Sequence, residues 1–363
     1  MTLSISKPTL LIDQEKCKQN IAYMVNRAKD LGVDFRPHFK THQSLEIGRW
    51  FKEKGVAKIT VSSLEMAQYF SEEWEDITVA FPANILEIDT INKLAEKVQL
   101  NLLVESIQTL NFLQKHLHHK IKFYIKINIG NERTGILPIN SSLIEEIINA
   151  SLSTDKLEFI GFLGHAGQTY KCRSQSEIQE THNNAVAVLK GLKNHYQDKF
   201  PDLILSYGDT PSCSVARGFD GIDEIRPGNF VFYDTMQVQI GSCSFDQIAV
   251  GLACPIVSIH EDRQEMVVYG GGIHLSKDRL IKNGDSNFGN VASMSPNGWN
   301  MINDAYVRSL SQEHGVIRMK QEELKRFSVG DLILVLPVHS CMTANLMKHY
   351  QNFEGKTMTM MGY

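Results

Sequence analysis

Val33-Asp34-Phe35-Arg36-Pro37-His38-Phe39-Lys40-Thr41-His42 is the stretch that decides how the rest of this 363-residue chain is read. Its front part, Val33 to Phe39, has the apolar content of a short strand, and it ends in the polar cluster Lys40, Thr41 and His42. Arg36, His38, Lys40 and His42 occupy alternate positions, so in an extended chain they point to one face. Four basic side chains on one face make poor packing material and imply a polar purpose. Upstream, Asp13 is placed to cap a helix whose buried face is Ile21, Met24, Val25 and Ala28, and Gly32 stands where such a helix stops. The order is therefore helix, turn, strand, polar cluster.

The same alternation continues. Lys58 to Val61, Ile77 to Phe81, Leu100 to Val104, Ile121 to Asn128, Leu157 to Leu163, Leu203 to Ser206 and Glu224 to Arg226 read as further strands, making eight with the first. Helical faces lie between them, among them Ile91, Leu94, Ala95, Val98 and later Ala185, Val188, Leu189, Leu192. Eight units over roughly 220 residues predict a (β/α)8 TIM-type barrel. A doubly wound open sheet is the alternative, but no GxGxxG follows the first strand. After Tyr233 the pattern turns to strands, with Ile248 to Ile259, Glu265 to Tyr269 and Asp331 to Leu336 as candidates. We therefore expect a barrel over 9–234 and a smaller β-rich domain over 235–363, with residues 1–8 a candidate addition to the latter. Asn283 to Asn303, rich in Asn, Ser and Gly, reads as an irregular insertion.

Composition narrows the function classes. Thirty-seven Lys and Arg against 41 Asp and Glu give a formal charge of -4, too mild for a nucleic-acid or membrane surface built on attraction. The six cysteines show no framework spacing, no stretch approaches the ~18 apolar residues of a membrane span, and the first residues lack a signal-peptide core. A cytoplasmic protein working on a small molecule is the expectation.

Three clusters carry chemistry. Lys40 falls at the C-terminal end of the first barrel strand, the face where barrel active sites are built. Most lysines are solvated surface groups, but desolvation and neighbouring cations free a lysine amine as a nucleophile that forms imines. Ser206-Tyr207-Gly208-Asp209-Thr210-Pro211-Ser212 follows a late strand. Small residues there let backbone N–H groups approach a phosphate, with Thr210 or Ser212 adding a hydroxyl. Such a string is also an ordinary turn, and Asp209 would repel a phosphate unless its carboxylate points away. Finally, His339 and Cys341 stand two apart and face one way in extended chain; imidazole with thiolate is a pairing zinc favours, although structural zinc sites use four ligands.

Taken together, these strings resemble the D-threonine aldolase and D-serine dehydratase family of fold-type III pyridoxal-phosphate enzymes, relatives of alanine racemase. Arg36 to His42 resembles the family's Schiff-base segment, which implies Lys40 as the cofactor lysine. Asn131-Glu132-Arg133-Thr134-Gly135 resembles the segment whose arginine lies beside the cofactor ring, implying Arg133. Gly164-His165-Ala166-Gly167-Gln168-Thr169-Tyr170 is similar to the His-x-Gly-x-x-Tyr stretch, implying His165 and Tyr170. Tyr207, Gly208 and Thr210 fall in the phosphate turn, Tyr233 in the segment Glu224 to Asp234 that brings a tyrosine to the cofactor, and His339 and Cys341 on the paired metal ligands. One departure bears on the substrate: Tyr269 and Ile273 replace charged residues in a stretch that often reads Asp-Ala-Gly-Ser-Lys-Ala-Leu-Ser.

The resemblance implies pyridoxal 5'-phosphate with a divalent metal, Zn2+ with Mn2+ as the alternative, acting on a small D-amino acid in a homodimer. D-serine dehydratase-like β-elimination to keto acid and ammonia, with Lys40 taking the Cα proton, is the leading expectation. Retro-aldol cleavage with His165 or His42 as base is the runner-up. A racemase leaves His339 and Cys341 unexplained, and a non-enzymatic pyridoxal-phosphate carrier would lack the second domain.

Overall fold

The computed structural model describes residues 4–282, 284–296 and 298–362. They form two compact units. One holds the chain up to Ile21, Thr41–Ile47 and everything from Asn229 on; the other holds Ala22–Lys40 and Gly48–Gly228. The first strand, β1 (Thr9–Ile12), belongs to the β-rich unit, where it pairs antiparallel with residues Val250 to Ala253. This differs from the expected 9–234 barrel. A fully buried four-residue run such as Thr-Leu-Leu-Ile does not reveal which sheet it joins, because its partner lies far along the chain. The helix Gln14–Asp30 begins as read, with Asp13 Oδ1 accepting from the Lys16 N–H at 3.0 Å and Ile21, Met24, Val25 and Ala28 buried.

All eight expected barrel strands are present: β2 (Asp34–Phe35), β3 (Lys58–Val61), β4 (Asp76–Pro82), β5 (Gln99–Val104), β6 (Ile121–Ile127), β7 (Leu157–His165), β8 (Ile204–Gly208) and β9 (Glu224–Ile225). They are parallel, in the order β2-β9-β8-β7-β6-β5-β4-β3. The ring is closed by the segment after β2: His38 bridges Thr60, the Phe39 N–H donates to Thr60 O, and the Thr60 N–H donates to Pro37 O. Regular pairing in β2 is short, since Pro37 has no N–H to offer.

The barrel interior is only partly apolar. Leu103, Tyr124 and Leu163 pack together, with Ala80, Ile160 and Ile204 against them. Beside them lies a buried ionic group: Arg36 donates to Glu224 at 2.7 Å and to Asp76 at 2.6 Å, and Ser206 Oγ donates to Glu224 Oε1 at 2.6 Å. Burial alone would raise the Glu224 carboxyl; Arg36, Lys58 and Ser206 instead bring it down to about 2. Charges buried this way are tolerated because each is paired and hydrogen-bonded.

In the other unit, β10 (Val250–His260), β11 (Glu265–Tyr269), β14 (Gly289–Ser295), β15 (Gly298–Leu310), β16 (His314–Arg318) and β17 (Leu332–Pro337) close into a six-stranded antiparallel ring, β11-β16-β15-β14-β17-β10, completed by the β10–β11 pairing. It extends through β1 to β18 (His349–Gln351) and β19 (Thr357–Thr359), while β12 (Leu280–Lys282) and β13 (Asp285–Asn287) form a separate hairpin. The expected irregular insertion over Asn283 to Asn303 is therefore largely strand; Asn283 and Asn297 lie outside the described residues. Pairing overrides composition here, because β14 lies against the apolar Leu334, Val335 and Leu336 of β17 and buries Val291 and Ala292.

Candidate active site

At the C-terminal ends of the barrel strands the residues after β2, β3 and β6, together with the ends of β4 and β7, enclose a cavity of about 330 Å3. Lys40, His38, Lys126, Arg133, His165 and Arg226 supply its nitrogen-bearing side chains; Ala80, Phe81, Pro82, Leu103 and Leu163 supply apolar wall. Among the described residues no aspartate or glutamate lines it. Lys40 and Arg133 are exposed, His38 and His165 half-buried, and Lys126 and Arg226 buried. Of the expected residues, Lys40, Arg133 and His165 are thus brought together.

Electrostatics in the cavity favours neutral rings beside fixed cations. Burial pushes His38 well below its ordinary value, with Lys40, Arg226, His165 and Arg133 adding to the effect. His165 is lowered by burial and then by Lys126, Lys40, Arg133 and Arg226. Its Nδ1 lies 2.6 Å from Gly208 O, so Nδ1 carries the proton and Nε2 is left as the basic atom. Burial, Arg226 and Arg133 bring Lys126 down to about 7. Arg226 is fixed by donating from Nε to Ser206 Oγ at 2.7 Å and from Nη2 to Gly164 O at 2.6 Å.

Lys126 is a cavity residue that the sequence motifs do not single out, yet a signal for it exists. In Ile-Lys-Phe-Tyr-Ile-Lys-Ile, Lys126 shares its strand phase with Tyr124, whose side chain packs in the barrel interior.

The turn expected to meet a phosphate sits at the end of β8. Asp209 caps the helix Thr210–Val215: its Oδ1 accepts from the Ser212 N–H at 2.7 Å and lies 3.0 Å from Thr169 Oγ1. The Asp209 carboxylate is thereby directed into the fold, which removes the repulsion that the sequence raised. Burial raises it to about 6. Thr210 Oγ1 is buried and has no hydrogen-bond partner among the described residues. At Gly208 a Cβ would meet the Arg226 backbone at 3.0 Å, so any side chain there would push on Arg226. A buried hydroxyl donor beside a bare backbone turn, next to a cavity lined by cations, fits a phosphate ester.

Tyr207 is not part of this lining. Strand alternation puts Ser206 inside the barrel and turns Tyr207 outward, against His182 and Phe219. Its ring is therefore not among the cavity residues. Tyr170 lies on the short helix Gly167–Lys171, its ring 6.5 Å from that of His165.

The remaining expected residues stand in the β-rich unit. His42 is fully buried, accepts at Nδ1 from the Ser44 N–H at 3.2 Å, and is pushed by burial to about 3; it is not among the cavity residues, since the chain turns after Phe39 and the alternation of basic positions stops. Tyr233 is buried in left-handed backbone, φ 49°. His339 Nδ1 lies 2.9 Å from Asp278 Oδ2. Burial works to lower His339, but Asp278, Cys341 and Asp234 raise it to about 11. Cys341 Sγ lies 3.2 Å from Thr41 Oγ1 and 3.5 Å from Asn229 Nδ2. No cluster of three or more His, Cys, Asp or Glu side chains is arranged to hold a metal among the described residues. The donor set of His339 and Cys341 nonetheless fits an open site, since a carboxylate on the far ring nitrogen is what orients a metal-binding histidine.

A family model described as "Alanine racemase, N-terminal domain" matches residues 12–235, and one described as "Putative serine dehydratase domain" matches 249–352. D-serine dehydratase of Dictyostelium discoideum is 30% identical, over 96% of this chain and 93% of that protein. The chain belongs to the D-threonine aldolase and D-serine dehydratase family. Within that family, D-threo-3-hydroxyaspartate dehydratase of Delftia sp. (strain HT23) is 25% identical over 96% of this chain and 94% of its own length. A solved D-threo-3-hydroxyaspartate dehydratase, a cysteine-to-alanine variant in the metal-free form, has a TM-score of 0.92 at 25% identity and covers 99% of both chains. Membership makes this chain a pyridoxal-phosphate-dependent lyase. No helix among the described residues is long and apolar enough to cross a membrane.

Proposed function

We propose that this lyase eliminates water from small D-β-hydroxy amino acids, the released enamine then being hydrolysed by water to keto acid and ammonia, with Lys40 as the cofactor lysine and a divalent metal on His339 and Cys341. The observation that carries the reading is the cavity at the barrel's C-terminal face: an exposed lysine among cations and neutral imidazoles, with no carboxylate among the described residues of the lining. Such a lining selects a ligand rich in negative charge, as a phosphorylated cofactor with an amino-acid carboxylate is.

Pyridoxal phosphate, when bound, supplies an electron sink for the charge released at Cα. The chain supplies the rest. Thr210 and the turn at Gly208 hold the phosphate, and Arg133 and Arg226 hold anionic groups by charge. Lys40 Nζ takes the Cα proton. His165, neutral and basic at Nε2, is the candidate to hold a proton near the β-hydroxyl. A metal on His339 and Cys341 would supply Lewis acidity toward the departing hydroxyl. Support for Zn2+ comes from the imidazole-thiolate donor pair. Thr41 Oγ1 lies 3.2 Å from Cys341 Sγ within the β-rich unit. All six cysteines are free thiols, which supports a cytoplasmic enzyme.

The test is to incubate the purified protein with D-serine, D-threonine and D-threo-3-hydroxyaspartate and to assay keto acid and aldehyde separately. Keto acid with ammonia supports the reading. Glycine with aldehyde would replace it with retro-aldol cleavage, and equal rates on L-isomers would overturn the metal-directed D-preference.

A further inference from the structure

Behind the phosphate turn lies a buried polar chain that no step above uses. Tyr207, fully buried, has its hydroxyl 2.9 Å from Ser212 Oγ and 3.2 Å from His182 Nδ1. His182 Nε2 lies 2.9 Å from Gly218 O, and the ring packs 4.3 Å from Phe219. His182 is itself buried, on the helix Gln175–Tyr196, and burial keeps it below its ordinary value.

The hydrogen bonds hold Ser212 from behind. The Tyr207 hydroxyl donates to Ser212 Oγ at 2.9 Å, and the Ser212 backbone N–H donates to Asp209 Oδ1 at 2.7 Å. His182 in turn holds the Tyr207 ring, its Nδ1 facing the Tyr207 hydroxyl and its Nε2 facing Gly218 O. Thr210 Oγ1, buried without a partner among the described residues, is the hydroxyl that stays available.

We propose that Tyr207 and His182 are positioning residues for the phosphate turn: they fix Ser212 from behind as a structural hydroxyl and leave Thr210 as the hydroxyl that binds the cofactor's phosphate. The proposal rests on the pyridoxal-phosphate reading of the cavity, and it distinguishes which of Thr210 and Ser212 serves that phosphate. Loosening the turn should weaken whatever depends on the phosphate and spare what depends on the ring alone.

The experiment compares dissociation constants of pyridoxal phosphate and of pyridoxal, which lacks the phosphate, for the apo forms of the wild type, Tyr207→Phe, Ser212→Ala, the double variant and Thr210→Val, following the visible absorption of the bound cofactor. Tyr207→Phe and Ser212→Ala should each raise the pyridoxal phosphate constant roughly tenfold, the cost of losing one buried hydrogen bond. Neither should change the pyridoxal constant, and the double variant should match the single ones because both break the same link. Thr210→Val should raise the pyridoxal phosphate constant at least as much. A Tyr207→Phe protein with an unchanged ratio of the two constants, or with both raised equally, overturns the proposal. Ser212→Ala, a smaller change, decides between the same outcomes should Tyr207→Phe not fold. A wild type that takes up neither compound would overturn the underlying reading as well, and is recognised by the missing absorption before any variant is compared.

Discussion

His38 and His165 in the barrel and His339 in the β-rich unit are the same chemical group held in opposite states. The barrel pair is pushed down by burial and a ring of Lys and Arg, whereas His339 is pushed up by Asp278, Cys341 and Asp234. The first environment favours anions and neutral imidazole; the second favours positive charge at His339. In the proposed elimination that positive charge would be the metal's.

That contrast can be tested by breaking each side separately. The largest effect is expected from Lys40→Ala, which should cut turnover by about 1,000-fold or more and abolish borohydride fixation of the cofactor. Cys341→Ala should also cost about 100-fold or more in turnover, the scale of lost Lewis-acid assistance, yet keep the visible absorption of the bound cofactor. Fixation that persists in Lys40→Ala would move the cofactor to another lysine, and absorption lost in Cys341→Ala would mean the two functions are not separable. Asp278→Asn should follow, lowering affinity for Zn2+ by roughly 10- to 100-fold through loss of the group that orients His339. Calorimetric titration with the metal checks it, and an unchanged affinity would leave Asp278 as a surface partner only. The smallest effect is expected in the barrel: Lys126→Met removes one cation from beside His165, so the His165 titration should shift upward in NMR. A downward shift would contradict a field set by the surrounding cations.

Much of this is legible in the chain because barrels announce themselves through local pattern. Eight short strands with helices between them, and Lys40 after the first, need no knowledge of distant partners. What escapes the sequence depends on such partners. Thr9–Ile12 reads as barrel until its pairing with Val250–Ala253 places it, and Asn290–Ala292 reads as irregular until Leu334–Leu336 supplies an apolar neighbour. His42 and Tyr207 are drawn toward the site by nearness in sequence to functional strings, but a turn after Phe39 and the inside-outside alternation of β8 send them elsewhere. Lys126 is easily passed over because a lysine within an apolar strand looks like solvated surface, and only its phase with Tyr124 says otherwise.

The pairings of β1 also constrain how the molecule is made. Leu11 sits opposite both Gly251 and Gln351, so the β-rich sheet joins residues that lie before and after the whole barrel in the chain. On a ribosome the strand Thr9–Ile12 emerges before the eight barrel strands and waits for partners that appear only after all of them. Barrel contacts between neighbouring strands close short loops, whereas those of β1 close very long ones, and long closures form late. The barrel can therefore be assembled during translation, while the sheet of the other unit is completed only once Gln351 has left the exit tunnel. A nascent chain stalled shortly before Gln351 would hold its lysine-bearing barrel and still lack the finished sheet of the unit that carries His339 and Cys341.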